Sequence, residues 1–174
     1  GQRKGQIDIE SDSFTGLLEE FKQIPFKVQK VLESNKLFHT VALEVIVDPK
    51  VKSIFYIGRG TSYPVALEGA LKMKEVAYIH AEGYPAGELK HGPLALIDSS
   101  VPTIAIAPSD EYFEKTASNI EEILTREGFV VLLTDKVGAE KFSDNPYVFP
   151  IIMPSTHPVL TPFLYSVAMQ LIAY

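Results

Sequence analysis

Short apolar runs separated by longer helical or polar segments make up most of the chain after residue 50. Four of the runs are rich in β-branched and aromatic residues: 53–58, 103–107, 129–134 and 147–152. Runs of this kind are typical of strands buried on both faces of a sheet. The segments between and after them are long enough for helices: 63–78, 111–127, 138–142 and 159–174. This order of elements predicts a parallel sheet with helices on both of its faces.

Two details refine the predicted sheet. Residues Ile79–Glu82 predict a further short strand after the first helix of the alternating part. The last run contains Pro150, and because proline has no N–H for the strand ladder, this argues against a central position for that run.

The first 50 residues do not show the strand pattern. Residues 1–12 are polar and have no hydrophobic period, so we interpret them as a linker arm. From a candidate cap at Asp12 or Ser13, apolar residues at helical spacing predict a helix that Pro25 breaks or kinks, and 36–47 predicts a second helix. The folded domain is therefore predicted to have two parts: preceding helices over 13–48 and an α/β core over 51–174.

Composition narrows the class of protein. The 174 residues are 46% hydrophobic and 22% charged, which is typical of one globular domain and excludes disorder of the whole chain. The formal net charge of −6 argues against nucleic acid as a partner. The sequence has no cysteine, which excludes a disulfide framework and a thiolate nucleophile and favours a cytoplasmic location. No apolar run approaches the roughly 20 residues of a membrane span, so no membrane partner is expected.

The turn Gly58-Arg59-Gly60-Thr61-Ser62 leaves a predicted strand and enters a predicted helix. Backbone N–H groups and hydroxyls at such turns commonly bind a phosphate, so these five residues are candidate substrate-binding residues. The turn does not have the pattern of a Walker loop. It is also not a full GxGxxG dinucleotide motif, because Tyr63 occupies the position of the third glycine. The alternative is a tight turn in which Thr61 or Ser62 only caps the helix.

Glu68, Lys72 and Glu75 lie at i, i+4 and i+7 of the helix that follows. At about 100° per residue they fall within an arc of roughly 60°, so two carboxylates and an ammonium share one stripe. The neighbouring positions are mostly apolar, which is typical of a buried helix. The stripe is therefore either a solvated strip or a polar cluster that faces a cleft and supports proton transfer.

An irregular stretch of about a dozen residues, containing Gly and Pro, follows this helix, and loops of that length are usually functional. It contains His91, and the Gly92-Pro93 turn that follows can hold the imidazole out as an acid or base near neutral pH. The alternative is an ordinary surface histidine. The four histidines show no paired metal spacing, so no metal site is expected.

The turn, the charged stripe and the irregular segment follow one another in a single stretch at 58–98, GRGTSYPVALEGALKMKEVAYIHAEGYPAGELKHGPLALID. It resembles the isomerase part of the glucosamine-6-phosphate synthases, also called glutamine:fructose-6-phosphate aminotransferases (isomerising), and a looser likeness continues to Tyr174. In that family a glutaminase domain precedes two sugar-isomerase (SIS) domains, and the chain resembles the second SIS domain with its preceding linker. The resemblance implies a flavodoxin-like, three-layer sandwich with a five-stranded parallel sheet, in accord with the pattern above.

The resemblance also implies roles for the candidate residues. Glu75 matches the base that moves a proton between C1 and C2 of the sugar, and Lys72 and Glu68 match other residues that line that site. His91 matches a histidine associated with opening the sugar ring in the neighbouring subunit's site, which implies a homodimer. The implied reaction makes glucosamine 6-phosphate from fructose 6-phosphate and glutamine-derived ammonia, the committed step towards UDP-N-acetylglucosamine. It needs no metal or organic cofactor.

Three parts of the family's active site lie outside the match. They are the glutaminase domain, the first SIS domain with its phosphate-binding loop, and the tail lysine that forms a Schiff base with the sugar. We therefore expect these parts of the same full-length chain as partners, and we expect the 174 residues alone to be inactive in the full reaction. The alternatives are a stand-alone SIS module that binds a phosphosugar and a stand-alone phosphosugar isomerase.

Overall fold

Five parallel strands form one sheet in the computed structural model, which describes residues 12–174. In chain order the strands are β1 (Ile54–Gly58), β2 (Ala81–Pro85), β3 (Thr103–Ile106), β4 (Val130–Thr134) and β5 (Val148–Ile152). Their spatial order is β2-β1-β3-β4-β5, and every neighbouring pair is parallel. In the register, Phe55 pairs with Glu82 on one side and with Thr103 on the other. The predicted five-stranded parallel sheet is confirmed.

Helices precede and alternate with the strands. In the described part of the chain they are α1 (Asp12–Lys22), α2 (Ile24–Glu33), α3 (Asn35–Val41), α4 (Ser62–Val76), α5 (Phe113–Leu124), α6 (Lys136–Glu140) and α7 (Thr161–Ala173). A π-helical turn follows α3, at Ala42–Ile46, and short 3-10 helices span Ala86–His91, Pro93–Leu96 and Pro158–Leu160. None of the helices described is both long enough and apolar enough to cross a membrane.

Alternate strand residues point to opposite faces of the sheet, and each face has its own core. Ile54 and Tyr56 of β1 lie in one core with buried residues of α2, α3, α4 and α7. Phe55 and Ile57 lie in the second core with buried residues of α5. A strand that is apolar on both faces needs cover on both, and the result is the three-layer sandwich predicted from the sequence.

Two regions of the sheet differ in detail from the sequence expectation. β2 spans Ala81–Pro85 rather than 79–82, and the irregular segment expected after it is folded into the strand and two 3-10 helices. Pairing with β1 explains the shift, because every residue of β1 pairs with a residue of Ala81–Pro85. Pro150 lies in β5, which is an edge strand, as the missing N–H of proline favours.

The helices before the sheet follow the predicted break. α1 ends at Lys22 and α2 begins at Ile24, so Pro25 lies in the first turn of α2, where its missing N–H costs nothing. The prediction of a linker arm over 1–12 concerns residues outside the described part, apart from Asp12, where α1 begins.

α4 packs closely against the sheet at Gly69. A Cβ at this position would lie 2.6 Å from Tyr56 Cε1 and 2.7 Å from Met169 Sδ. Tyr56 and Met169 are both fully buried. Glycine therefore lets α4 pack against β1 and α7 at once, which fixes the helix that carries the charged stripe.

Candidate active site

The charged stripe of α4 consists of Glu68, Lys72 and Glu75. Lys72 Nζ lies 2.5 Å from Glu75 Oε2 and 3.8 Å from Glu68 Oε1, so the ammonium bridges the two carboxylates. The side chains are 37% exposed at Glu68, 27% at Lys72 and 50% at Glu75. The hydrogen bond to Glu75 raises the pKa of Lys72, and the two carboxylate charges add to this effect against a smaller one of desolvation. Lys72 is therefore a cation near neutral pH.

The sequence of α4 explains why the stripe faces outward. Small and apolar residues occupy the face that packs on the sheet: Val65, Ala66, Gly69, Ala70 and Met73. Beside the stripe, Leu67, Leu71 and Val76 are 43%, 42% and 44% exposed. An apolar margin around charged residues is not typical of a solvated helix face, and clustered exposed apolar groups mark interaction surfaces. The stripe is thus partly open to water and bordered by apolar surface.

The Gly58–Ser62 turn connects β1 to α4 at the carboxyl edge of the sheet. Gly60 has φ +57°, and a Cβ there would lie 2.6 Å from Cε2 of Tyr112, so glycine is needed both for the conformation and for the close approach. Thr61 makes no side-chain capping hydrogen bond, and Ser62 Oγ is buried without a partner among the described residues. Neither hydroxyl therefore caps α4, and phosphate binding at this turn stays a prediction.

Arg59 is engaged within the chain. Its Nη2 donates to Asn119 Oδ1 at 3.1 Å, and Asn119 Nδ2 donates in turn to Glu122 Oε2 at 3.3 Å. The guanidinium also lies on Gly87, where a Cβ would be 2.9 Å from Nη2. Arg59 thus links the turn after β1 to α5 and to the Ala86–His91 helix.

His91 is the last residue of the Ala86–His91 helix, which follows β2 directly. Ala86 and Leu89 are fully buried and anchor the inner side of this helix in the second core. His91 itself is exposed, and Gly92 follows with φ +143°, a conformation that glycine adopts without strain. The imidazole is therefore open to solvent.

The structure brings together some of the candidate residues and separates others. Glu68, Lys72 and Glu75 form one bonded group. Ser62 and Glu75 lie thirteen positions apart on α4, which separates them by about 20 Å along the helix axis. The two side chains therefore do not contact each other, and the turn and the stripe are separate places on α4. Within the described residues, no hydrogen bond or ion pair connects His91 to the stripe.

Asp135 organises the carboxyl edge beside β4, and the sequence pattern did not single it out. Its carboxylate accepts from Ser109 N and Oγ at 2.9 and 2.6 Å, and from Val137 N and Gly138 N at 3.0 and 3.1 Å. Burial alone would raise the pKa of Asp135, but these hydrogen bonds together outweigh it and the pKa is lowered. The signal in the sequence is an aspartate directly after a buried strand and before a helix, which is typical of a helix cap.

A second polar cluster lies at the opposite, amino end of β1 and β2. Ser53 Oγ is 2.8 Å from His80 Nδ1, and His80 Nε2 is 3.6 Å from Glu82 Oε1. The Tyr84 hydroxyl donates to the other oxygen of Glu82. In the part of the chain that the structure describes, no group of three or more His, Asp or Glu side chains is arranged to hold a metal ion.

These features define a doubly wound, parallel α/β domain in which the helix after β1 carries an acid and base cluster. A family model described as the SIS domain matches residues 49–174. The chain therefore belongs to the SIS domain family, and the family resemblance inferred from the sequence is confirmed.

Curated relatives of the chain include two glutamine–fructose-6-phosphate aminotransferases. The glutamine–fructose-6-phosphate aminotransferase [isomerizing] of Bradyrhizobium diazoefficiens is 45% identical over 174 residues, which are 100% of this chain and 28% of the relative. The relative of the same name in Brucella melitensis is 46% identical over 158 residues, 91% of this chain and 25% of its own length. The chain thus spans about a quarter of the length of these relatives.

Two solved structures are similar to this chain in fold. The C-terminal domain of glucosamine-fructose-6-phosphate aminotransferase from Francisella tularensis matches with a TM-score of 0.83 and 38% identity, covering 90% of this chain and 43% of that one. Tagatose-6-phosphate ketose/aldose isomerase from Escherichia coli matches with a TM-score of 0.71 and 22% identity, covering 88% of this chain and 42% of that one. The second likeness concerns the fold alone.

Proposed function

We propose that the chain is the second sugar-isomerase domain of a glutamine:fructose-6-phosphate aminotransferase. In this role it binds a phosphosugar and carries the proton-transfer residues for making glucosamine 6-phosphate from fructose 6-phosphate and glutamine-derived ammonia. One observation carries the proposal. Lys72 bridges Glu68 and Glu75 on an apolar-bordered face, in a chain 45% identical over its whole length to a protein of that name.

Glu75 is the proposed base. Lys72 holds Oε2 of this carboxylate at 2.5 Å, and no described residue bonds Oε1. One oxygen is therefore anchored, while the other is free to take a proton from the sugar at C1 and return it at C2. Geometry is the first requirement of a general base. Lys72 orients the carboxylate, and Glu68 shares the ammonium on its other side.

The proposal includes a homodimer. His91 is exposed at the end of the Ala86–His91 helix and makes no bond to the stripe of its own chain, which supports a role in the site of a neighbouring subunit. In this proposal the full-length enzyme is cytoplasmic, its first SIS domain holds the substrate phosphate, and its glutaminase domain supplies ammonia.

A chimaeric enzyme tests the proposal. This chain replaces the matching 28% of the Bradyrhizobium diazoefficiens relative. We expect glutamine-dependent formation of glucosamine 6-phosphate and exchange of the C1 or C2 hydrogen of the sugar with solvent deuterium. Glu75→Gln keeps the shape of the side chain and removes the base, so we expect both rates to fall by about 100-fold or more.

The matched control is Glu140→Gln, the same chemical change at an exposed position at the end of α6. It should leave both rates unchanged. Full exchange in Glu75→Gln contradicts the role of Glu75 as base. Retained fructose 6-phosphate binding with no exchange in either protein contradicts the enzyme hypothesis and supports the alternative, a module that only binds phosphosugars.

A further inference from the structure

Arg59 joins three elements at the carboxyl edge of the sheet. It lies in the turn after β1, bonds Asn119 of α5, and lies on Gly87 of the helix that ends at His91. We propose that Arg59 is a positioning residue, which holds the Ala86–His91 helix and thereby fixes the place of the His91 imidazole. The catalytic consequence of this contact rests on the function proposed above for His91. The contact itself does not.

The guanidinium lies against Gly87, where a side chain would have no room. A Cβ built on Gly87 lies 2.9 Å from Arg59 Nη2, 3.2 Å from Nη1 and 3.3 Å from Cζ. Three atoms of the guanidinium therefore occupy the space that a side chain at this position would take. The broad, planar guanidinium is suited to fill this space and to donate from a second nitrogen at the same time, whereas the compact ammonium of lysine is not. Gly87 is not one of the glycines with positive φ, so its missing side chain serves this close approach.

Arg59 also donates a hydrogen bond to Asn119, and the side chain of Asn119 is held rigidly. Asn119 is 7% exposed, and its amide nitrogen donates to Glu122, so the oxygen that accepts from Arg59 is fixed in orientation. Arg59 Nε is buried without a partner among the described residues, and Nη2 donates to Asn119, so two of the three guanidinium nitrogens face the protein. The arginine is therefore placed to pack and orient within the chain.

Two substitutions disturb the contact from opposite sides. Gly87→Ala places a methyl group on the guanidinium, which is the far end of a flexible side chain and can move without unfolding the domain. Arg59→Lys keeps the positive charge and removes the flat surface. Arg126→Lys is the matched control, because Arg126 is exposed just beyond the end of α5.

Amide hydrogen exchange and histidine NMR on this chain test the contact. In both Gly87→Ala and Arg59→Lys we expect amides of the Ala86–His91 helix to exchange about tenfold faster or more, because local opening becomes easier. The ring signals of His91 should shift, while those of His39 and all signals in Arg126→Lys stay in place. Unchanged exchange and an unchanged His91 signal in both variants overturn the proposal.

The chimaeric enzyme tests the catalytic consequence. A misplaced His91 should lower kcat by about 10- to 100-fold in both variants, with KM for fructose 6-phosphate changed by less than about threefold. A direct anion-binding role for Arg59 predicts the opposite: a raised KM in Arg59→Lys, a retained kcat, and no effect of Gly87→Ala. That pattern overturns the positioning role. A chimaera that is inactive with unaltered residues contradicts the proposed function, and the exchange experiment still decides the contact.

Discussion

Gly69→Ala adds a single methyl group where α4 packs against the sheet. The new Cβ would lie 2.6 Å from Tyr56 Cε1 and 2.7 Å from Met169 Sδ, whereas ordinary van der Waals contact begins at 3.4 Å. Both side chains are fully buried in the same core, so neither has free space to enter. The methyl group therefore has to move α4 outward or push Tyr56 and Met169 from their positions.

Two opposing effects set the magnitude. Extra volume in a well-packed core costs about 1–3 kcal/mol. Alanine in place of glycine inside a helix contributes about 0.5–1 kcal/mol of stability, since the unfolded chain is less flexible. We expect Gly69→Ala to lower the free energy of unfolding by about 1–2 kcal/mol. In a domain of this size, this corresponds to a Tm lower by about 2–8 °C.

Urea unfolding of this chain measures the effect, with Gly16→Ala as the matched control. Gly16 is an exposed residue of α1, and a Cβ there meets nothing within 4 Å. The same chemical change should therefore stabilise the chain, by about 0.5–1 kcal/mol. The urea dependence m should be the same in all three proteins. If Gly69→Ala is as stable as the unaltered chain or more so, the close packing of α4 on Tyr56 and Met169 is refuted.

Two further predictions concern pH and activity. Because the folded state lowers the pKa of Asp135, its charge stabilises the fold above the unfolded pKa of about 4, and this contribution is lost as pH falls through the lower folded value. Asp135→Asn should therefore unfold about 1 kcal/mol more easily at pH 7, and a difference from the unaltered chain that persists undiminished at pH 2 contradicts this account. The 174-residue chain alone should form no glucosamine 6-phosphate from fructose 6-phosphate and glutamine, and detection of that product by mass spectrometry would show the prediction to be wrong.

The sequence predicted the central strands because their signal is local. β1, β3 and β4 are buried along their whole length, and a short run of apolar residues on both faces is sufficient to indicate such a strand. β2 has no such run: only Ala81 is buried, and the segment contains Gly83 and Pro85. It becomes a strand because β1 offers it a ladder of hydrogen-bonding groups. That cause lies outside the segment, so only part of β2 could be predicted.

The same distinction applies to the candidate site. The stripe of Glu68, Lys72 and Glu75 follows from helical periodicity, and the structure shows the predicted grouping. The partner of Arg59 is Asn119, 60 positions further along the chain, so no local pattern reveals that the arginine is already engaged. Folding through the sheet creates this contact, so the sequence alone did not reveal that one nitrogen of this candidate phosphate ligand donates to α5.

The exposure of the stripe connects the proposed chemistry to the proposed assembly. Glu75 is 50% exposed and hydrogen-bonded to an ammonium, so water competes with any substrate for its free oxygen. Proton transfer at carbon is helped when an active site excludes water, which strengthens the electrostatic interactions inside it. The exposed Leu67 and Leu71 form an apolar border on which a second surface can close. If Glu75 is the base, the site therefore needs that second surface, and an inactive isolated chain together with an active chimaera is the outcome that this reasoning requires.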